Sequence, residues 1–324
     1  MKFFVTGGAG FIGSHFCDQA LRLGHQVAAY DDLSTGLEYF LKGAVQNKNF
    51  ELIKGDIRNL EQTQIAMKIF EPTWVIHFAA NADVRKGLDR PRRDLDYNTI
   101  GTWNVLEAMR SSNCKRILFS STGSTYGEPT VFPTPETCPF PEQTSLYGAS
   151  KAAGEGLISA YCNGYGLKGF VFRFVSILGP RYTHGHVFDF MQKLKKDSSQ
   201  LEVLGNGKQL KSYLNVEDLM AGLWKVISSE NDPRVKPFNV FNIGHDEALT
   251  VDQSISYIVA KLGLKPKINY SGGERGWVGD SPRIQLDTQK LKSWGWAPKF
   301  SLKESVEQTV AFLVENGDLL NRDN

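Results

Sequence analysis

From the N-terminus to residue 178, short apolar runs alternate with longer amphipathic stretches. The runs predict strands at Phe3–Thr6, Gln26–Tyr30, Phe50–Lys54, Trp74–Phe78, Arg116–Ser120 and Gly169–Phe174. Between them, apolar residues at helical spacing predict helices over Gly13–Leu23, Leu60–Phe70, Tyr97–Ser111 and Tyr147–Tyr165. Strands apolar on both faces and separated by helix-length crossovers belong to parallel sheets covered on both sides. The expected fold class is therefore α/β, a doubly wound parallel sheet of the Rossmann type.

Past residue 178 the alternation becomes irregular, with Gly179-Pro180, Gly205-Asn206-Gly207 and Gly272-Gly273 as punctuation. A smaller α/β substrate-binding lobe is expected there. Tyr213–Phe241 again reads strand, helix, strand. The large domain is thus assigned residues 1–178 with a return at about 213–245, and the lobe residues 179–212 and 246–324.

Composition narrows the partners. The 324 residues carry 37 basic and 35 acidic side chains, net +2, which gives nucleic acid or a membrane surface no electrostatic reason to bind. Met1-Lys2-Phe3-Phe4-Val5-Thr6 enters a glycine cluster at once, leaving no room for a secretory leader, and no apolar run approaches the roughly 20 residues that span a bilayer. The expected location is cytoplasmic. Cys17, Cys114, Cys138 and Cys162 form no CxxC pair and are read as buried, reduced thiols.

The candidate chemistry starts at Thr6-Gly7-Gly8-Ala9-Gly10-Phe11-Ile12-Gly13, which leaves a strand and opens a helix. Glycines at 7, 10 and 13 allow a tight turn and a close approach of backbone to a pyrophosphate, with helix N–H groups aimed at it. Asp31 follows at the end of the second strand, about 20 residues on, where a carboxylate accepts the ribose hydroxyls and repels a 2′-phosphate. NAD is therefore expected over NADP. Asp32 either shares that role or caps the next turn, and Asp56 is placed to reach the adenine amino group.

Tyr147-Gly148-Ala149-Ser150-Lys151 puts a phenol and an ammonium on one helix face. A neighbouring cation favours the phenolate, which makes a tyrosine usable as a base near neutrality. Thr122, in Ser120-Ser121-Thr122-Gly123-Ser124-Thr125-Tyr126-Gly127, follows a strand expected beside that helix.

Taken with His77-Phe78-Ala79-Ala80, these motifs resemble the extended short-chain dehydrogenase/reductase family. The likeness is greatest to the UDP-glucose 4-epimerases and related nucleotide-sugar epimerases, and it runs nearly end to end. Later landmarks are Arg173-Phe174-Val175-Ser176-Ile177-Leu178-Gly179-Pro180-Arg181, Tyr213–Asp218, Asn242-Ile243-Gly244 and Gly279-Asp280.

The resemblance implies Tyr147 as base on a sugar hydroxyl, Lys151 holding the nicotinamide ribose and lowering the tyrosine's pKa, and Thr122 orienting the hydroxyl. Hydride passes to NAD and returns on the other face of a keto sugar, so the cofactor stays bound. The implied NAD contacts also include Phe11, Ile12, Ile57, Phe78, Ala79, Ala80, Asn98, Ser120 and Phe174. The implied partner is a nucleoside-diphosphate sugar, contacted by Arg85, Thr122, Gly123, Ser124, Ser176, Lys211, Tyr213 and Arg275. A homodimer through Tyr97–Ser111 and Tyr147–Tyr165 is expected.

Family dehydratases and decarboxylases carry acids just after the threonine, where this chain has Gly123 and Ser124, so epimerisation is favoured. Ser176 stands where the family usually has Asn, and Lys211 where it usually has Arg; Lys keeps the charge and loses the bidentate fork. Arg275 is a candidate replacement. Arg85 is weighed between an anion contact and a solvated face for the mixed-charge run Arg85–Asp96. His184-Gly185-His186 is read as a mobile substrate loop, with no metal expected. The leading activity is UDP-glucose/UDP-galactose 4-epimerisation. UDP-glucuronate 4-epimerisation, CDP-deoxyhexose 2-epimerisation and a non-catalytic NAD-binding regulator are the alternatives.

Overall fold

A computed structural model describes residues 1–82, 90–139, 142–276 and 281–322. The strands are β1 (Lys2–Thr6), β2 (Gln26–Asp31), β3 (Phe50–Lys54), β4 (Trp74–His77), β5 (Arg116–Thr122), β6 (Lys168–Phe174), β7 (Ser176–Leu178), β8 (Gln200–Val203), β9 (Leu210–Lys211), β10 (Tyr213–Asn215), β11 (Phe238–Ile243), β12 (Leu249–Thr250), β13 (Lys267–Tyr270) and β14 (Arg283–Ile284). A seven-stranded parallel sheet in the order β11-β6-β5-β4-β1-β2-β3 forms the larger architecture. The order reverses between β1 and β4, and ligands of doubly wound sheets bind outside the strand C-termini at such a switch.

Four of the predicted strands run further than their apolar runs, β1 beginning one residue early at Lys2. β2 continues to Asp31 and β5 to Thr122, because their terminal polar residues are held by local hydrogen bonds, and β6 begins one residue early at Lys168. Helices α1 (Phe11–Arg22) and α2 (Leu60–Phe70) follow β1 and β3. α3 (Pro91–Asp94) runs into a π-helical stretch (Leu95–Ile100) and on into α4 (Gly101–Ser111), so the helix predicted from Tyr97 starts earlier and is widened at its start. α5 (Leu146–Tyr165) is capped by Ser145, whose side chain accepts from Gly148 N–H, and ends at Gly166 in the left-handed region.

The chain divides into two compact units. The first holds Met1–Thr125, Ser145–Arg173 and Ile227–Phe241. Its core includes Phe4, Ala28, Tyr30, Val75, Val105, Ile117, Phe119 and Val171, all fully buried between sheet and helices. Burial of such side chains is worth about 1.5–3 kcal/mol each against exposure.

The second unit holds Tyr126–Thr144, Phe174–Val226 and Asn242–Asn324. It contains α6 (His186–Lys196), α7 (Val216–Ser228, except its last two residues), α8 (Val251–Leu262), α9 (Gln289–Lys292) and α10 (Leu302–Glu315). Its strands form small sheets: β10 with β7, β13 with β8, and β12-β9-β14. Within the stretch 213–245, β11 joins the seven-stranded sheet, whereas β10 pairs with β7. Thr250 and Ser301 each close a capping box at the start of α8 and α10. Among the described residues, no helix is long and apolar enough to cross a membrane.

Candidate functional site

The glycine turn is shaped by what a methyl group would strike. A Cβ on Gly13 would stand 2.1 Å from the carbonyl oxygen of Gly7, and one on Gly7, whose φ is +69°, would meet Ala79 N at 2.7 Å. Gly10 is the extended N-cap of α1 and bonds the turn through its N–H to Gly7 O at 3.1 Å. Phe11 opens α1 and is buried, Ile12 is half-buried beside it, and Phe78, Ala79 and Ala80 line the exit of β4 half-buried.

Asp31 at the end of β2 accepts from Ala9 N–H and Leu33 N–H, each at 2.9 Å, so its carboxylate stands beside the glycine turn. Burial raises its pKa, with those two bonds opposing. A backbone cradle with no room for Cβ atoms, a helix N-terminus and a carboxylate at the next strand end are together the fit that an NAD pyrophosphate and adenosine ribose require.

Asp32 accepts from Ser34 N–H at 2.9 Å, the capping arrangement of the two considered for it. Asp56 accepts Arg58 N–H at 2.8 Å and is gripped by the Arg58 guanidinium, with Nη2 to Oδ2 at 2.6 Å. Burial pushes the Asp56 pKa up, and these bonds outweigh it and hold it low. Arg58 in turn lies 4.1 Å over the Tyr97 ring. Ile57 is buried, where a Cβ on Gly101 would meet it at 2.5 Å.

α5 approaches the sheet closely because it is rich in small residues; a Cβ on Gly154 would stand 2.9 Å from the Phe119 ring. That approach carries Lys151 onto the end of β5, where its Nζ donates to Ser120 O at 2.9 Å and lies 4.8 Å over Phe119. Ser120 Oγ donates to His77 O at 3.1 Å, tying β5 to β4. Thr122 Oγ1 accepts Ser124 N–H at 3.1 Å, which leaves its hydrogen for the Tyr147 phenol, with which it is hydrogen-bonded. Gly123 opens the 3₁₀ turn that presents Ser124.

Burial raises the Tyr147 pKa to about 12 against the opposing Thr122 bond, and lowers that of Lys151 to about 7, with the charges of Asp94 and Glu155 opposing. Tyr147, Lys151, Thr122 and Ser120 thus converge in the first unit, at the carboxyl end of the sheet. Asn98, inside the π-helical stretch, donates to Ser150 Oγ at 3.0 Å and accepts Asn81 N–H at 2.8 Å. Wide turns of this kind recur at functional sites.

In the second unit, Tyr213 is buried with the His186 ring 4.8 Å away, Ser176 is exposed, Lys211 is half-buried in β9, paired with Leu249 of β12 and Ile284 of β14, and Phe174 is buried. Arg275 is half-exposed and paired with Glu128. Arg85 and the Gly279-Asp280 landmark lie outside the described residues. His186 corrects the loop expectation: it opens α6, and its Nε2 sits 2.8 Å from Ser254 Oγ. Burial lowers its pKa to about 3, which keeps it neutral. Cys138, expected buried, is half-exposed on the wall of a 360 Å³ surface cavity with Glu128, Val131 and Pro139. Among the described residues no three His, Cys, Asp or Glu side chains form a group able to hold a metal ion.

The sequence alone assigned no role to a set of buried polar residues. His77 is one: its Nδ1 is 2.6 Å from Thr6 Oγ1 and its Nε2 3.0 Å from Thr102 Oγ1. Because Thr102 donates to Asn98 O at 2.6 Å, its oxygen accepts from His77 Nε2–H, and Nδ1 accepts from Thr6. That is a neutral imidazole, in line with burial lowering its pKa to about 3. Glu155, one turn beyond Lys151, takes Arg173 in a bidentate pair (Nη2 to Oε2 2.7 Å, Nε to Oε1 3.0 Å) and accepts from Ser121. The Tyr147, Lys151, Glu155 spacing of four was the available signal.

Comparison with known proteins agrees with this geometry. Residues 3–244 match the family described as the NAD dependent epimerase/dehydratase family. A putative UDP-glucose 4-epimerase of Methanocaldococcus jannaschii is 32% identical over 318 residues, 96% of this chain and 98% of that protein. The CDP-paratose 2-epimerase of Salmonella typhi is 30% identical over 350 residues, covering 95% and 98%. The crystal structure of Thermus thermophilus UDP-glucose 4-epimerase in complex with NAD superposes with a TM-score of 0.85 at 31% identity, covering 97% of this chain and 99% of that one. The chain therefore belongs to the NAD-dependent epimerase/dehydratase family and is an NAD-dependent enzyme of the nucleotide-sugar epimerase class.

Proposed function

We propose that the enzyme interconverts UDP-glucose and UDP-galactose by inversion at C4. The carrying observation is the Thr122, Tyr147 and Lys151 cluster, followed at 123 and 124 by glycine and serine in place of acids. Loss of water or carbon dioxide needs a further proton donor that these two positions do not offer. Relatives named UDP-glucose 4-epimerase support the sugar and the carbon.

NAD, when bound, supplies the two-electron acceptor that takes the hydrogen on C4 and gives it back. Glycines 7, 10 and 13 with Phe11 and Ile12 would hold its pyrophosphate, Asp31 its adenosine ribose, and Lys151, Asn98 and Ser120 its nicotinamide end. Tyr147 takes the proton of the 4-hydroxyl and returns it to the keto oxygen. Thr122, its own oxygen held by Ser124 N–H, donates to that same oxygen. Left alone, a phenol raised to about 12 is a poor base near neutrality, so a cation must face it. Lys151 is fixed in that role by Ser120 O. Small side chains at 123 and 124 leave the keto sugar room to turn.

In the second unit, Tyr213, Lys211, Ser176 and Arg275 are assigned to the nucleotide. Lys211 would meet the diphosphate as a point charge. Leu95, Ile100 and Trp103 before and on α4, with Leu146 and Tyr165 on α5, are exposed apolar side chains that support a homodimer through these helices.

The test is Tyr147→Phe. Turnover should fall by about 10²–10⁴ while NAD, released by denaturation and quantified, stays at wild-type occupancy. Full activity in the variant contradicts the assignment.

A further inference from the structure

His77 closes β4 at the point where the strand order reverses, paired in register with Thr6 of β1, and it is fully buried. Its two ring nitrogens serve different neighbours. Nδ1 takes the hydroxyl hydrogen of Thr6, 2.6 Å away, and Thr6 Oγ1 in turn accepts Ala79 N–H at 3.3 Å. Ala79 N is the atom that a methyl on Gly7 would strike at 2.7 Å, so this side of the ring holds the floor of the glycine turn. Nε2–H donates to Thr102 Oγ1 at 3.0 Å, and Thr102 donates to Asn98 O at 2.6 Å. This side of the ring therefore ends on the π-helical stretch, at the residue whose side chain bonds Asn81 and Ser150.

Thr6, Thr102 and Asn98 are as buried as His77, and all four lie within the first unit. In such dry surroundings a bond left unmade is costly, which makes the path from glycine turn to wide turn a rigid one. Turns of the π type are rare, and Thr102 pins a carbonyl of this one. Burial keeps the ring neutral, so the direction of the two bonds does not reverse with pH.

We propose that His77 is a positioning residue for the cofactor: by bridging Thr6 and Thr102 it fixes the span from the glycine turn, which takes the pyrophosphate, to Asn98, which takes the nicotinamide end. The proposal rests on Asn98 holding that end, as assigned above. It separates the two halves of NAD. ADP shares the adenosine and both phosphates and lacks the nicotinamide ribose and ring. A general loss of packing weakens both ligands alike, whereas a displaced Asn98 weakens NAD alone.

The experiment is displacement of NAD from the full-length, NAD-loaded protein by ADP, read as the ADP concentration that releases half of the cofactor at equilibrium. Thr102→Val keeps the shape and removes the hydroxyl on which Nε2 ends. His77→Asn carries an amide only as far as the position of Nδ1 and gives up Thr102. His77→Gln carries one to the position of Nε2 and keeps a donor for Thr102.

The half-releasing concentration should fall about three- to tenfold in Thr102→Val and His77→Asn and stay within about twofold of wild type in His77→Gln. A fall of less than about threefold in Thr102→Val overturns the proposal, whether or not His77→Asn folds. So does a fall in His77→Gln as large as that in His77→Asn. Asn98→Ala separates the two possible failures. A half-releasing concentration unmoved there sinks the assignment of Asn98 and the proposal with it; one that falls there and not in Thr102→Val sinks the role of His77 alone. No sugar enters the measurement, so the identity of the substrate does not affect it.

Discussion

Arg173→Met should be among the most damaging single changes in the first unit. Arg173 and Glu155 have side chains 9% and 6% exposed and meet in two parallel bonds of 2.7 and 3.0 Å. Deleting the cation leaves a carboxylate buried with only the Ser121 hydroxyl, a change that typically costs about 3–5 kcal/mol. Unfolding of a unit of about 150–250 residues shifts by about 2–4 °C per kcal/mol, so the first thermal transition should fall by roughly 6–20 °C.

Glu155→Met combined with Arg173→Met removes both charges and fills similar volume. It should recover all but about 1–2 kcal/mol, the remainder including the lost Ser121 partner. The assay is circular dichroism melting of NAD-saturated protein for the two single variants and the double. A loss below about 1 kcal/mol for Arg173→Met, or a double variant as unstable as the sum of the singles, would refute the reasoning.

Two further outcomes follow from the site. Gly13→Ala forces a methyl into the space 2.1 Å from Gly7 O. It should cost about 1–3 kcal/mol in stability and leave purified protein depleted of NAD, read as cofactor released per chain. Lys151 offers a pH test in NAD-free protein, since burial lowers it to about 7 from the 10.5 expected when unfolded. Between those values the unfolded chain holds a proton that the native state does not, so native stability rises with pH at up to about 1.4 kcal/mol per unit. The stability of wild type minus that of Lys151→Met, from denaturant melts, should rise from pH 7 to 10.5; a flat difference would sink the explanation.

The parts of this protein that sequence alone revealed are those where a local rule and the tertiary context agree. Strands buried on both faces, such as Phe3–Thr6 and Gly169–Phe174, are apolar at most positions, so their runs stand out. Gly13 is demanded by the nearby backbone of Gly7, Gly7 by its own positive φ, and Tyr147 with Lys151 by one turn of helix.

What escaped depends on partners far along the chain. Asp94 reads as one more charge in Arg90-Pro91-Arg92-Arg93-Asp94, and only the fold brings Asn81 to it. Glu155 looks like a helix-surface acid until β6 delivers Arg173. The short strands of the second unit, such as Leu210–Lys211 between Leu249–Thr250 and Arg283–Ile284, are two residues long and carry no period that could announce them. His186, expected in a loop, opens α6 instead, with Gly185 as the N-cap of that helix.

The proposed reaction is epimerisation of a nucleotide-bound hexose at C4 through Tyr147 with a cofactor that stays bound. Its most direct test is proton NMR of the sugar region after incubating the purified enzyme with UDP-, CDP- and GDP-hexoses in heavy water. Conversion of UDP-glucose to UDP-galactose with no deuterium at C4 is the expected result. Turnover of UDP-glucuronate or a CDP-deoxyhexose in its place would contradict the substrate and keep the redox mechanism, and deuterium appearing at C4 would contradict the mechanism itself.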